Sequence, residues 1–395
     1  MSNNQAPPLV PPINKQTLLK NLQTLISIPS VNPSLVPGEN GEKKIARYLS
    51  HYLKSLGLKV FRQKVCPDRS NIIGILRGKG QGRSLMLNGH MDTVGLSGME
   101  IDPLKAEYQG GRVYGRGSAD MKSGIAAIIS ACETVRSAGI EPKGDVLVAL
   151  VVDEEHKSIG TEKLLDEYTA DAAIVCEPTD LKIGIAHKGF IWGEVGVSGK
   201  AAHGSRPEEG IDAIMKAGKL LVEIEHFART ALQKKNHPLL GSPSLHASLI
   251  NGGRELSTYP DTCIIQLERR TIPGENHLVF EGEMQKIINH LHLKDRQFRG
   301  AYKQLFHRPP FEISEKRKIV KILDMCYRHV LKRKPEFAGI TWWMDTALFA
   351  RAGIPTLAFG PAGSGLHGPR ESVDFMSVSQ TASVLVETII DFCGI

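Results

Sequence analysis

Residues 146–155 read VLVALVVDEE, seven apolar residues running straight into three acidic ones. A continuous apolar run of this length suits a strand buried on both faces, as in a parallel sheet covered by helices. Three other short apolar runs end the same way. Ser84–Leu87 leads into Asn88-Gly89-His90-Met91-Asp92, Ala172–Cys176 into Glu177, and Thr356–Phe359 into a glycine-rich loop ending Leu366-His367-Gly368. Open α/β sheets bind ligands at the carboxyl ends of their strands. If these strands are parallel neighbours, their polar ends converge.

The intervening pattern fits this reading. Leu18, Leu19, Leu22, Leu25 and Ile26 recur at helical spacing, as do Ile45, Tyr48, Leu49, Tyr52, Leu53 and Leu56, after which Gly57 stops the helix. Asn71–Leu76 and Ser84–Leu87 read as two strands joined by the turn GKGQGR, and Ser123–Val135 reads as a helix. The expected class is an α/β domain with a mainly parallel central sheet. The middle of the chain differs. Strand Phe190–Val197, helix Ile211–Phe227, strands Leu245–Ile250 and Cys263–Leu267, helix Gly282–Leu291 and strand Phe298–Phe306 give the order βαββαβ, a ferredoxin-like α+β arrangement. The expected organisation is a first catalytic part at 1–187, an inserted domain at 188–305, and a second catalytic part at 306–395. Residues 1–12, rich in proline, read as a disordered arm.

The chain has 395 residues, 41% of them hydrophobic and 23% charged, which argues against disorder. Its net charge of +7 comes from interspersed signs rather than a basic face, so nucleic-acid binding, suggested only by clusters such as Lys332-Arg333-Lys334, is not expected. The apolar runs are far short of the ~20 residues of a membrane-spanning helix, and the N-terminus does not read as a signal peptide. Six scattered cysteines without a CxxC pair suit reduced thiols. Together these predict a cytoplasmic protein.

His90 and Asp92 are two apart, which places them on one face of an extended chain. The imidazole can bind a metal through one nitrogen while Asp92 accepts a hydrogen bond from the other. Asp120, after a glycine-rich turn, is suited either to capping the following helix or to bridging two cations. Of the adjacent Glu154 and Glu155, one can bind a metal while the other stays free as a base. Glu177 precedes a proline and is held extended. With His367 these residues form a mixed N/O set that suits Zn²⁺, with Co²⁺ or Mn²⁺ possible. Five ligands are too many for one catalytic zinc and about right for two sharing a carboxylate. HExxH, Gly-x-Ser-x-Gly and nucleotide-binding fingerprints are absent.

Seven segments, in this order and spacing, resemble the M20 metallopeptidases, the group of acetylornithine deacetylase, succinyl-diaminopimelate desuccinylase, aminoacylase-1 and glutamate carboxypeptidase. They are NGHMDTV (88–94), GRGSADMKSG (115–124), VVDEEHKSIGT (151–161), CEPTDLKIGIAHKG (176–189), VSGKAAHGSRPEEG (197–210), ERRTIPGE (268–275) and GLHGPRESV (365–373). The resemblance implies that His90 and Glu177 hold one zinc, Glu155 and His367 the other, and Asp120 bridges them. Asp92 would orient His90 and Glu154 would be the general base. His203 would stabilise the oxyanion and Arg270 would grip a substrate carboxylate, aided by the loop containing Gly363. The expected reaction is amide hydrolysis of an N-acyl amino acid, with a carboxypeptidase or dipeptidase acting on short peptides as the alternative. A metal-bound protein without catalysis is a further possibility. Dimerisation through the inserted domain is also implied. Two departures touch the substrate region: Glu268-Arg269-Arg270 replaces the usual Asp-x-Arg, and Ser257 stands where many members have Asn.

Overall fold

A computed structural model describes residues 11–395. The expected arm at 1–12 lies outside them except for its last two residues. Two compact units are present. One comprises the chain up to Ile185 with Ile313–Ala338 and Met344–Ile395; the other comprises Ala186–Glu312 with Gly339–Trp343. The second therefore extends past 188–305 at both ends and takes in a short distant segment.

The first unit is built on a mixed sheet. Its strands lie in the order Lys59–Cys66, Arg69–Leu76, Val146–Val151, Leu85–His90, Ala172–Val175, Thr356–Ala358 and Ile183–His187. The four from Val146–Val151 to Thr356–Ala358 run parallel. They are buried along their whole length, which is why they read as unbroken apolar runs. Helices Lys122–Ser137 and Phe375–Cys393 also lie in this unit, and most of their residues are buried. Gly124 lets the first of these approach the sheet, since a Cβ there would sit 2.0 Å from the Cys176 carbonyl oxygen.

One expectation changes. The strands Arg69–Leu76 and Leu85–His90 are consecutive but not paired, because Val146–Val151 lies between them, antiparallel to one and parallel to the other. The partner of Arg69–Leu76 on its other side is Lys59–Cys66, which the sequence reading passed over. Only one of its residues, Gln63, is fully buried, so it lacks the apolar signature of the central strands.

The second unit has a four-stranded antiparallel sheet in the order Ser244–Gly252, Thr262–Thr271, Gly189–Ser198 and Arg299–Arg308. With helices Ala213–Thr230 and His277–Lys294 this is the βαββαβ arrangement. The helices start at Asp212 and Asn276, whose side chains accept from Met215 N and Val279 N. Alternate residues of Thr262–Thr271 face a core containing Ile265, Leu267, Leu220, Phe280 and Phe298.

Candidate active site and metal centre

The carboxyl ends of the parallel strands bring six ligand-type side chains together. His90 ends its strand, Glu154 and Glu155 follow Val146–Val151, and Glu177 follows Ala172–Val175. Asp120 lies just before the helix that begins at Lys122, whose N-cap is Met121. Asp120 is therefore not a cap. Its Oδ1 is 3.1 Å from His90 Nε2 and its Oδ2 is 3.4 Å from His367 Nε2. One carboxylate thus joins two imidazoles that are 277 residues apart in the numbering, 367 minus 90. Glu177 Oε1 is 3.5 Å and Glu154 Oε2 3.8 Å from His90 Nε2. Glu155 Oε2 is 3.0 Å from His367 Nε2. Ligand atoms of His90, Asp120 and Glu155 lie within 4.8 Å of one another, as do those of His90, Glu154 and Glu177.

Charge is crowded here. Burial, reinforced by the Asp120 charge, pushes Glu155 up to about 7. Burial also drives Glu154 well above the ordinary carboxylate range, against the pull of His90. Glu177 is driven up by burial and then by Asp120. Asp120 is held below that range despite burial, because His367 and His90 hydrogen-bond to it. Hydrogen bonds to Asp120 and Glu155 raise His367 to about 10. His90 is raised well above its ordinary value, the surrounding carboxylates outweighing its burial. So many buried carboxylates hold their charges at neutral pH only with cations among them. Glu155 Oε1 is also buried without a hydrogen-bond partner, a lone pair that a cation would satisfy. The residues present fit a metal centre with N/O donors.

Asp92 does contact His90, chiefly through its backbone. His90 Nδ1 meets the Asp92 backbone carbonyl oxygen at 3.0 Å, whereas the nearest carboxylate oxygen is 3.6 Å away. The Asp92 carboxylate instead accepts from the backbone N–H groups of Glu154 and Glu155, at 3.2 and 3.1 Å, and from Asn32 Nδ2 at 2.8 Å. It pins the turn that carries both glutamates.

The sequence reading missed the supports behind the site. Arg69 binds both oxygens of Glu42 and reaches Asp153 Oδ1 at 2.7 Å, with all three side chains buried. Asp153, at φ +70°, begins the turn into Glu154. Glu371 accepts from Arg116, from Gly117 N at 3.1 Å, and from Ala119 N and Asp120 N at 2.9 and 3.0 Å, so one buried carboxylate organises the loop before Asp120. Lys122 is buried with Nζ donating to the Ile28 carbonyl at 2.8 Å, and burial lowers it to about 7. Nothing local marks these pairs, because each joins residues far apart in sequence.

Gly363 begins the two-residue strand Gly363–Ser364 that follows Thr356–Ala358 in the chain, and a Cβ there would meet Ala119 Cβ at 2.5 Å. The remaining expected residues belong to the second unit. His203 is exposed, with Nδ1 2.8 Å from Ser205 Oγ. Ser257 accepts from Gly204 N at 2.7 Å through its backbone oxygen, so these two positions are neighbours. Arg270 ends a strand with its guanidinium 2.8 Å from Glu268 Oε1 and over the Phe190 ring. Its neighbour Arg269 is the buried one, bound to Glu275 at 2.6 Å.

Residues 86–391 match the profile of peptidase family M20/M25/M40. The chain belongs to this family. It is 28% identical to N-formyl-4-amino-5-aminomethyl-2-methylpyrimidine deformylase of Halalkalibacterium halodurans, over 96% of this chain and 95% of the relative. It is also 28% identical to acetylornithine deacetylase of Myxococcus xanthus, over 88% and 91%. The fold is that of a Staphylococcus aureus tripeptidase at a TM-score of 0.80 and 21% identity, covering 96% of this chain and 99% of that one. A Bacillus subtilis M20 peptidase described as dinuclear and metal-binding superposes at a TM-score of 0.74 and 16% identity, over 96% and 99%. The protein is an M20 hydrolase of amide bonds, and the cluster around Asp120 is its candidate metal centre. No helix among the described residues is long and apolar enough to cross a membrane.

Proposed function

We propose that this M20 enzyme is a cytoplasmic deacylase of N-acyl amino acids that works with two Zn²⁺ ions, Co²⁺ or Mn²⁺ substituting. The placement of Asp120 between His90 and His367 carries the reading, since a carboxylate offering one oxygen to each of two imidazoles is suited to bridging two cations. His90 and Glu177 would hold one ion, Glu155 and His367 the other, and Asp120 would serve both. When bound, the ions lower the pKa of water and polarise a carbonyl.

The chain's own groups do the rest. Glu154 takes the proton of the attacking water and returns it to the leaving amine. Its burial raises its proton affinity well above that of an ordinary carboxylate. Asp92 fixes Glu154 and Glu155 through their peptide N–H groups. His203 donates to the oxyanion, and Arg270, with Ser257 and the Gly363 loop, binds the substrate carboxylate. Glu268 competes for Arg270, so a substrate acid must displace or share that contact. The exposed edge strand Ser244–Gly252, with Leu249 65% and Ile250 55% exposed, supports a homodimer through the second unit.

The test is hydrolysis of a panel of N-acetyl, N-succinyl and N-formyl amino acids beside dipeptides, with Zn²⁺ and with chelator. Chelator-sensitive turnover of the acyl amino acids is expected. Turnover confined to dipeptides would favour the peptidase reading instead.

A further inference from the structure

Helices Lys318–Leu331 and Phe375–Cys393 pack against each other. They bring together a second set of ligand-type side chains, none of which belongs to the cluster around Asp120. Cys326 and His329 share a face of the first helix at spacing i, i+3; Glu387 and Asp391 share a face of the second at i, i+4. Ligand atoms of Cys326, Glu387 and Asp391 lie within 4.8 Å of one another. Cys326 Sγ is 3.5 Å from Asp391 Oδ2, and His329 Nδ1 is 2.5 Å from Glu387 Oε1.

A separate observation points to a ligand. Glu387 is 8% exposed, and its Oε2 is buried with no hydrogen-bond partner. An unpaired buried carboxylate oxygen is costly, and amide hydrolysis gives this one nothing to do.

We propose that Cys326, His329, Glu387 and Asp391 form a second, structural metal site for a borderline-soft divalent ion of the zinc class. The donor set selects the ion. A thiolate disfavours Mg²⁺ and Ca²⁺, while one sulfur, one imidazole nitrogen and two carboxylate oxygens suit tetrahedral Zn²⁺. Four protein donors leave no open position, so the site ties two helices rather than catalysing. Ligand atoms of Cys326, Glu387 and Asp391 already lie within 4.8 Å of one another, and small side-chain rotations would close them, with His329 turning in from beside Glu387, on an ion whose bonds are about 2.0–2.3 Å. His329, with half its side chain exposed, leaves a way in from solvent. Without the ion Cys326 is a thiol, held protonated by burial and by Asp391. Binding forms the sulfur–metal bond and releases that proton to solvent, so affinity rises with pH.

Cobalt separates this site from the catalytic one, whose six residues include no sulfur. Among the described residues no other cysteine belongs to a group of three or more ligand-type side chains. Chelator-stripped full-length protein titrated with Co²⁺ should develop an intense near-ultraviolet thiolate-to-cobalt band. Cys326→Ser should remove the band and one equivalent of bound Co²⁺ while leaving amide hydrolysis unchanged. Asp391→Asn, at the edge of the site, should weaken the band's titration about tenfold or more with an unaltered circular dichroism spectrum. A Co²⁺-saturated wild-type protein without the band would overturn the proposal, as would a band that survives Cys326→Ser. Should Cys326→Ser not fold, Asp391→Asn decides alone, and an unmoved titration overturns it.

Discussion

Glu154 and Glu155 are adjacent, equally placed at a strand end, and chemically alike, yet they face different partners. Glu155 Oε2 contacts His367 and lies near Asp120; Glu154 approaches His90 more loosely, at 3.8 Å. That difference divides ligand from base in the proposed mechanism. Replacing Glu154 with Gln keeps the shape and removes the basicity. The variant should retain its full metal content by elemental analysis while kcat falls by about 10²–10⁴. Full activity in that variant would refute the role. Sequence spacing shows only that the two side chains diverge; which of them meets His367 depends on a loop more than two hundred residues away.

The strands and turns that carry the site depend on charges buried beneath them. Arg69 joins Glu42 to Asp153 below the Glu154–Glu155 turn. Arg69→Ala leaves two buried carboxylates unpaired, and the expected loss is about 3–5 kcal/mol in denaturant unfolding. A milder case lies between helices Ala213–Thr230 and His277–Lys294. Asp295, just past the second, pairs with Lys216 and Lys219 on the first at 2.6 and 2.8 Å, and these bonds hold its carboxyl below the usual range. A depressed carboxyl pKa stabilises above the unfolded value, about 3.9 for Asp, and the benefit is lost as pH falls through the folded value. Asp295→Asn should therefore cost about 0.2–1 kcal/mol at neutral pH and progressively less as pH falls below about 3.9 towards the folded value, as read from thermal unfolding across pH. The helices themselves were legible from apolar spacing. These ion pairs were not, because they join residues 27 to 84 apart in sequence.

Across the whole chain, each of the two units has a core of its own. One contains Ile73, Met86, Ala149 and Val175; the other contains Val195, Leu220, Ile265 and Phe280. The candidate metal ligands all belong to the first. A ligand bound only by the folded state stabilises by RT ln(1 + [L]/Kd), about 2.7 kcal/mol at a hundredfold excess over Kd. Calorimetry should therefore resolve two transitions, and chelator should lower only the one belonging to the unit that holds His90. A single transition, lowered as a whole by chelator, would show that the units unfold as one.

By itself the sequence determined the class of the two sheets that carry the units and the residues that gather in the candidate metal centre. Buried parallel strands must be apolar throughout, so polar residues at their ends stand out, and the parallel direction forces those ends together. Tertiary structure alone decided that Val146–Val151 enters between two consecutive strands, that Asp120 spans two imidazoles rather than capping a helix, and that the Asp92 carboxylate holds a turn while its backbone carbonyl meets the His90 imidazole. It also supplied Glu371, Arg69 and Glu42, none of which carries a local signal. Periodicity and turn chemistry are local and can be read along the chain. Strand order and the pairing of buried charge arise from contacts between distant residues, and these exist only once the chain has folded.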